Sequence, residues 1–516
     1  MIIKFLWKTV FLFMSGSNFS GKSYQAKHYF LFLLGLVSCT DGIHITRTTD
    51  VSPVIFPDYK EVTIPPNIAP LCFKLTDWRD IEKAHVIIES KNHQLQVKVK
   101  KGRFSIPLKP WRKLLKDAVG GAISFTIQAR VQGQWVGYPE FQVFVAPEPI
   151  DSWLVYRLIE PGYELWGEMG IYQRNLEDFS ESLIVNNKRT GYNCMNCHSF
   201  CMQNPEKMMF HMRATYPATI LIDGDRMEKL NTKTPQTLSA LVYPSWHPSG
   251  KYISFSVNNT EQFFHTSDPN RIEVFDLASD VVVYDVNRHE IITAPPLSSD
   301  KAFETFPTFS PDGKTLFFCS ADTCRMPEEF ENVKYSLCAI SFDPENRRFG
   351  ATVDTLYQAK SGGGKSVSFP RVSPDGRFLM FTLSGYGNFS IWHKDADLYL
   401  LDLQNREITP LDMLNSDDVE SYHSWSSNSR WVVFSSRRID GLYTRPYIAY
   451  IDTDGNPAKP FLLPQKHADY YHRFMKSYNI PEFITGKVNQ NSFNLSEKAM
   501  KDKGINVEYR RDNMKK

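Results

Sequence analysis

The chain predicts an all-β protein: an N-terminal immunoglobulin-like sandwich, then a β-propeller of about five blades interrupted by one inserted loop. Two observations carry this expectation. Residues 60–147 alternate in short β-type runs separated by turn residues, and from residue 234 one twelve-residue pattern returns four times. The composition agrees, since 14% aromatic residues with 31 Pro and 27 Gly is the profile of a β-rich, turn-rich chain.

In chain order, the first element is a leader. Residues 29–38 form a short apolar run preceded by Lys22, Lys27 and His28, a basic flank and an apolar stretch too short for a stop-transfer helix. The run ends Leu36-Val37-Ser38-Cys39, which resembles the lipobox of bacterial lipoproteins. That resemblance implies a signal peptide over 1–38, acylation of Cys39 and attachment to a lipid membrane. A buried core segment ending in a cysteine is the competing reading. Met1–Met14 is a second apolar run with only Lys4 and Lys8, which leaves Met14 as a second candidate start. Residues Gly16–Ser23 satisfy the phosphate-loop pattern, yet no doubly wound α/β core follows to hold a nucleotide. Without residues 1–38 the chain has 55 basic and 57 acidic side chains, a formal −2 that gives no reason to expect nucleic-acid binding.

Residues 39–58 are polar and irregular, a tether. Residues 59–148 hold the sandwich, with strands expected at 85–88, 95–99, 123–131 and 141–145 and a short helix around Trp111-Arg112-Lys113-Leu114-Leu115. No catalytic cluster occurs there.

The propeller is expected over 151–488. Pro244-Ser245-Trp246-His247-Pro248-Ser249-Gly250-Lys251 returns as Pro307-Thr308-Phe309-Ser310-Pro311-Asp312-Gly313-Lys314 and as Pro370-Arg371-Val372-Ser373-Pro374-Asp375-Gly376-Arg377. A worn copy begins His423-Ser424-Trp425-Ser426. Each copy is a hairpin: Pro-Asp-Gly makes the turn, and the apolar run after it makes a half-buried strand. Spacings of 63, 63 and 53 residues leave room for four strands per copy, as in propeller blades. These copies resemble the blades of TolB-type β-propellers. Strand-like runs at 154–159, 182–185 and 219–231 suggest one further blade, with residues 467–488 as a contributor to a sixth. Residues 489–516 read as a polar tail.

The strongest chemical signal is Cys194-Met195-Asn196-Cys197-His198, a Cys-x-x-Cys-His box. Two thiols so spaced can add across the two vinyl groups of a haem while the histidine binds the iron. A zinc knuckle would need a second ligand pair, and no other Cys-x-x-Cys occurs. A thioredoxin-type dithiol would sit in a βαβ pattern, which is absent. The expectation is one covalent haem c on a loop over 190–216, interrupting the first blade. His198 is the proximal iron ligand. Residues Pro205–Arg213 read as a helix that would present His211 as the distal ligand. Met202, Met208, Met209, Met212 or an open site are the alternatives, and packing around the porphyrin is the other use for these methionines. Arg213 is placed to pair with a haem propionate, or to be a plain surface arginine.

Of the other cysteines, Cys319 and Cys324 are close enough in sequence for a loop disulfide, against unpaired thiols for Cys72, Cys201, Cys319, Cys324 and Cys338. The blades carry no Gly-x-Ser-x-Gly elbow and no His-x-x-x-His pair. His247, His265, His393 and His423 fall at unmatched blade positions. The whole plan resembles envelope lipoproteins of Bacteroidota that join a TolB-like propeller to one c-type haem box. The resemblance implies an outer membrane lipoprotein. Thr40-Asp41-Gly42 lacks the acidic cluster of surface-exported relatives, which favours the periplasmic face. Three functions are compatible: electron transfer with a redox partner protein of the envelope, an envelope organiser with a structural haem, and a haem oxidoreductase of the peroxidase or reductase type.

Overall fold

The computed structural model describes residues 44–161, 167–360 and 364–511. Cys39 and the leader lie outside the described residues. Six four-stranded antiparallel units, two of them extended by a parallel fifth strand, make up a six-bladed propeller. Blade two runs Cys194–Phe200, Lys207–Arg213, Ala218–Asp223, Arg226–Asn231, and blade three Val242–Trp246, Tyr252–Phe264, Ile272–Asp285, Glu290–Thr293. Blades four, five and six begin with the inner strands Ala302–Phe309, Ser366–Val372 and Glu420–Trp425. Blade one is composite. Trp153–Ile159, Gly170–Asn175 and Glu181–Asn186 come from the start of the propeller, and its inner strand is Ser477–Ile484 from the far end. This shared blade closes the ring, so the expected count of about five becomes six through the segment 467–488.

The four sequence copies mark the turn from inner to second strand. The Gly313 N–H donates to the Ser310 carbonyl at 2.9 Å, Gly376 to Ser373 at 2.8 Å, and Gly250 to His247 at 2.8 Å. The glycines sit at φ 67–77°, a region costly for other residues, which is why the copies share them. The worn copy uses Ser429 at φ 62°, its N–H donating to the Ser426 carbonyl.

Two expectations change here. The segment 194–213 is not an inserted loop followed by a helix. It is the first hairpin of blade two, with Cys194 paired to Arg213, Asn196 to His211 and Phe200 to Met208. The run Met208-Met209-Phe210-His211-Met212 is buried on both faces, and a strand of that kind lacks the alternation that separates it from a helix. Nor are the described residues of the expected polar tail, 489–511, without structure. Asn491 caps a helix over Ser492–Lys501, and Ile505–Asn506 and Glu508–Arg511 pair in parallel with the outer strands of blades two and three.

The N-terminal β-domain is one branched seven-stranded sheet with a separate two-stranded ribbon, not the two facing sheets expected. Ala122–Val131 pairs with Ile81–Glu89 along one edge, and with Gln134–Gly137 and Phe141–Val145 along the other. Its Ile123, Phe125, Ile127 and Ala129 are buried on one face, as strand alternation requires. The expected helix is present over Leu108–Ala118, and the buried Trp111 donates from Nε1 to the Ile68 carbonyl at 2.9 Å. This domain rests on blade six. Trp431 Nε1 donates to the Glu148 carbonyl, Asn428 Nδ2 to the Pro149 carbonyl, and the Ser427 N–H and hydroxyl to the Asp151 carboxylate.

Glu304, on the inner strand of blade four, is 1% exposed, and burial pushes its carboxyl up to about 9. The folded chain therefore holds this proton to higher pH than the unfolded chain. The stability it contributes is full below the ordinary carboxyl range and is lost as pH rises toward that value. Glu304→Gln should melt with the wild type at about pH 4 and above it at about pH 8. Parallel melting curves across that window would count against a buried neutral Glu304.

Candidate functional site

One residue in each inner strand adopts the left-handed conformation: Cys197, Tyr243, Phe306, Phe369, Tyr422 and Ile480, all at φ 49–52°. In blades two to six the register with the second strand shifts at this point. Such a bulge spends one unpaired residue and re-aims its side chain, and here the re-aimed side chains meet on the axis. Tyr243 packs on Phe306 with ring centroids 4.5 Å apart, Phe306 on Phe369 at 4.1 Å, and Phe369 on Tyr422 at 4.8 Å. Cys197 and Ile480 complete the ring of six. The ring splits the axial channel into two cavities, of about 440 Å³ and about 150 Å³, which share Cys197, Tyr243, Tyr422 and Ile480 in their walls.

The larger cavity collects most of the residues singled out in the sequence. Cys194, Cys197, His211 and Arg213 all line it. The bulge at Cys197 is what allows two cysteines three positions apart on a strand to open into one cavity. Burial pushes the Cys197 thiol up, and Arg213 donates to the Cys194 sulfur at 3.6 Å. His211, 1% exposed, bonds Thr219 Oγ1 through Nδ1 at 3.2 Å, and its Nε2 has no partner. Arg157 and Arg437 share this wall, and Arg437 lies on the face of Trp392. Burial holds Arg437 down at about 9. Among the described residues none of these three arginines forms an ion pair with a carboxylate.

His198 faces the other way. It lines the smaller cavity, is 2% exposed, and neither ring nitrogen has a hydrogen-bond partner, although the Ile480 backbone lies near. Burial keeps His198 and His211 at about 3, so both imidazoles are neutral, the form that binds a metal. Within the larger cavity the residues fit a covalent haem in kind, with two thiols, the neutral His211 and its unpartnered Nε2, and guanidinium groups suited to two propionates, whereas His198 lies outside it.

The expected methionine alternatives divide. Met208 and Met212 are fully buried in the core between blades one and two, and Met209 in the core between blades two and three. Met202 lines the smaller cavity and is 44% exposed. Cys319 and Cys324 are free thiols, not a disulfide. Among the described residues no group of three or more His, Cys, Asp or Glu side chains is arranged to hold a bare metal ion.

Sequence reasoning missed that the Cys-x-x-Cys-His box is itself an inner-strand repeat. Cys197-His198-Ser199-Phe200 occupies the place of Tyr243-Pro244-Ser245-Trp246, Phe306-Pro307-Thr308-Phe309, Phe369-Pro370-Arg371-Val372, Tyr422-His423-Ser424-Trp425 and Ile480-Pro481-Glu482-Phe483. The likeness of His198-Ser199-Phe200 to His423-Ser424-Trp425 was the available signal. It makes His423, taken as unmatched, the counterpart of His198. His423, also 3% exposed, donates from Nε2 to the Met380 carbonyl at 2.9 Å.

No protein-family model matches the chain, and no curated protein matches it. Among solved structures, a DUF4784 family protein from Bacteroides caccae aligns at 7% identity and TM-score 0.30 over 69% of this chain and 94% of its own. Prolyl oligopeptidase B from Galerina marginata aligns at 10% identity and TM-score 0.34 over 66% of this chain and 42% of its own. Sqt1 from Chaetomium thermophilum aligns at 11% identity and TM-score 0.29, covering 84% and 90%. At these values the likenesses carry nothing about activity, and the propeller rests on the strand pairing described above.

Proposed function

We propose that the chain is a c-type cytochrome whose haem is held on the propeller axis and passes single electrons to and from a redox partner protein of the envelope. The observation that carries this is the opening of Cys194 and Cys197 into one axial cavity beside the unpartnered Nε2 of His211. In this reading the two thiols would hold the haem as thioethers and His211 would offer its free Nε2 to the iron, while His198, which faces the smaller cavity, would have to turn into the larger one to bind it. Arg157, Arg213 and Arg437 would meet the propionates and neutralise their charge; Glu160 shares the wall, but among the described residues none of the three arginines is ion-paired to a carboxylate. The bound haem would supply one-electron redox chemistry.

The protein contributes rigidity and exclusion of water. The aromatic ring below the cavity and the long hairpin Tyr252–Phe264/Ile272–Asp285, whose Asn258, Thr260, Gln262, Ile272 and Val274 line the cavity, enclose the site. An iron with both axial positions filled would have no position for substrate, which is what would separate electron transfer from the oxidoreductase reading. Acylation of Cys39 would keep the protein at the outer membrane, on its periplasmic face.

The test is the absorption spectrum of the full chain, made in cells that attach haem covalently, in both oxidation states. The expected result is a six-coordinate low-spin haem that is reversibly reduced. His211→Ala should convert it to high-spin and open the iron to carbon monoxide. A five-coordinate wild type would replace electron transfer by the oxidoreductase reading, and a haem that no reductant of physiological potential reduces would leave a structural role.

A further inference from the structure

The smaller cavity carries a site of its own. Two residues beyond each left-handed residue, the inner strands present a second ring to the axis: Ser199, Ser245, Thr308, Arg371, Ser424 and Glu482. Four of the six are hydroxyl residues, and their bonds run around the ring, with Ser245 Oγ 3.2 Å from Thr308 Oγ1 and Ser424 Oγ donating to the Pro481 carbonyl at 2.9 Å. The repeat is broken at two places only, by one cation and one anion.

Arg371 and Glu482 are half-buried and belong to blades five and one, with blade six and its Ser424 between them. Both open to one cavity, yet they form no ion pair among the described residues. Arg371 Nη1 donates to the neighbouring Pro370 carbonyl at 2.9 Å, and Glu482 Oε1 accepts from the Phe200 N–H at 3.1 Å. Each side chain thus has a backbone partner rather than the other. Burial pushes the Glu482 carboxyl up to about 8, and a cation seated beside it would favour its charged form.

The space is small, and apolar side chains line it beside the hydroxyls. A cavity of about 150 Å³ lies well below the roughly 300–1,000 Å³ of pockets for larger ligands. Trp246, Phe309 and Trp425 line it with Pro244 and Pro481, and the aromatic ring of the axis closes its floor. We propose that this cavity binds a small zwitterion, an aliphatic amino acid, its carboxylate on Arg371, its ammonium on Glu482 and its side chain against the tryptophans. The guanidinium fork suits a carboxylate, the ring hydroxyls take the remaining hydrogen bonds, and the ammonium supplies the charge that burial withholds from Glu482. Cys197 and His198 line this cavity as well, so binding is tested with and without haem.

The experiment is calorimetric titration of the full chain, with and without haem, using L-valine as probe. Valine should bind in both forms. Isobutylamine and isovalerate, each carrying one of its two charges, should bind at least about tenfold more weakly. Arg371→Gln and Glu482→Gln should each weaken valine by about tenfold or more. Ser424→Leu, which keeps both charges and fills the space between them, should abolish binding while the melting transition persists. No heat with valine, alanine or glycine at millimolar concentration overturns the proposal, as does valine binding that survives Ser424→Leu or equals that of isovalerate.

Discussion

Cys194→Ala/Cys197→Ala should yield a folded chain from which all haem is lost on denaturation, where the wild type keeps its haem bound to the polypeptide. The effect is all-or-none because the two thioethers are the only covalent links the reading provides, and an axial imidazole exchanges once the fold is lost. The fold itself should survive. Both thiols line a cavity, and although Cys194 also packs in the core between blades one and two, each change removes a single sulfur, so the truncation removes little packing. The measurement is haem absorbance of the denatured, desalted polypeptide beside the near-ultraviolet circular dichroism of the native one. Haem that still co-migrates with the double variant would falsify the thioether assignment. So would a wild type that carries no covalent haem when made by a host whose attachment machinery modifies a control cytochrome. Each single variant should keep one thioether and a shifted spectrum.

The second large effect concerns closure of the ring. A chain ended after Phe474 lacks Ser477–Ile484, the inner strand of blade one. That strand places Tyr478, Phe483 and Ile484 in the core with 0% exposure, and its Tyr478 carbonyl accepts from Ser435 Oγ and Thr444 Oγ1 of blade six. Each buried aromatic contributes on the order of 3–5 kcal/mol when judged by truncation to alanine, against a total stability of roughly 5–15 kcal/mol. Losing two of them, an aliphatic side chain and an entire strand pairing exceeds what the fold can absorb. The Phe474 chain should show no cooperative unfolding in urea. A chain ended after Gln490 keeps the closing strand and loses only the helix Ser492–Lys501 and the two outer strands. It buries Leu495, Ala499 and Val507 no longer, so its midpoint should fall while the transition stays cooperative. Equal midpoints for the two chains would show that the ring does not depend on its composite blade.

The residues that carry local chemistry were legible in the chain. One Pro-Ser-Gly and two Pro-Asp-Gly turns announced three blades because a turn is made by neighbours and needs glycine where φ is positive. The Cys-x-x-Cys-His box announced its two thiols and an imidazole for a similar reason, since five consecutive residues hold the whole signal. The short helix around Trp111 was legible as well. The same locality misled at 194–213. A box that reads as a cofactor loop concealed a blade strand, and a continuous apolar run over Met208–Met212 gave no period by which strand could be told from helix.

What the sequence determined by itself was therefore the propeller class, the hairpin turns and the identity of the cysteines and histidines at the centre of the proposed site. Tertiary structure decided the rest. Only ring closure brings Ser477–Ile484 beside Trp153–Ile159, over three hundred positions away in the chain, and sets the blade number at six. Only the bulge at Cys197 aims both thiols into one cavity and turns His198 into the other. Arg371 and Glu482 open to one cavity because their blades stand around a common axis, a relation no local pattern encodes. Turns and motifs are set by neighbouring residues, whereas a propeller axis exists only after six distant strands have met on it.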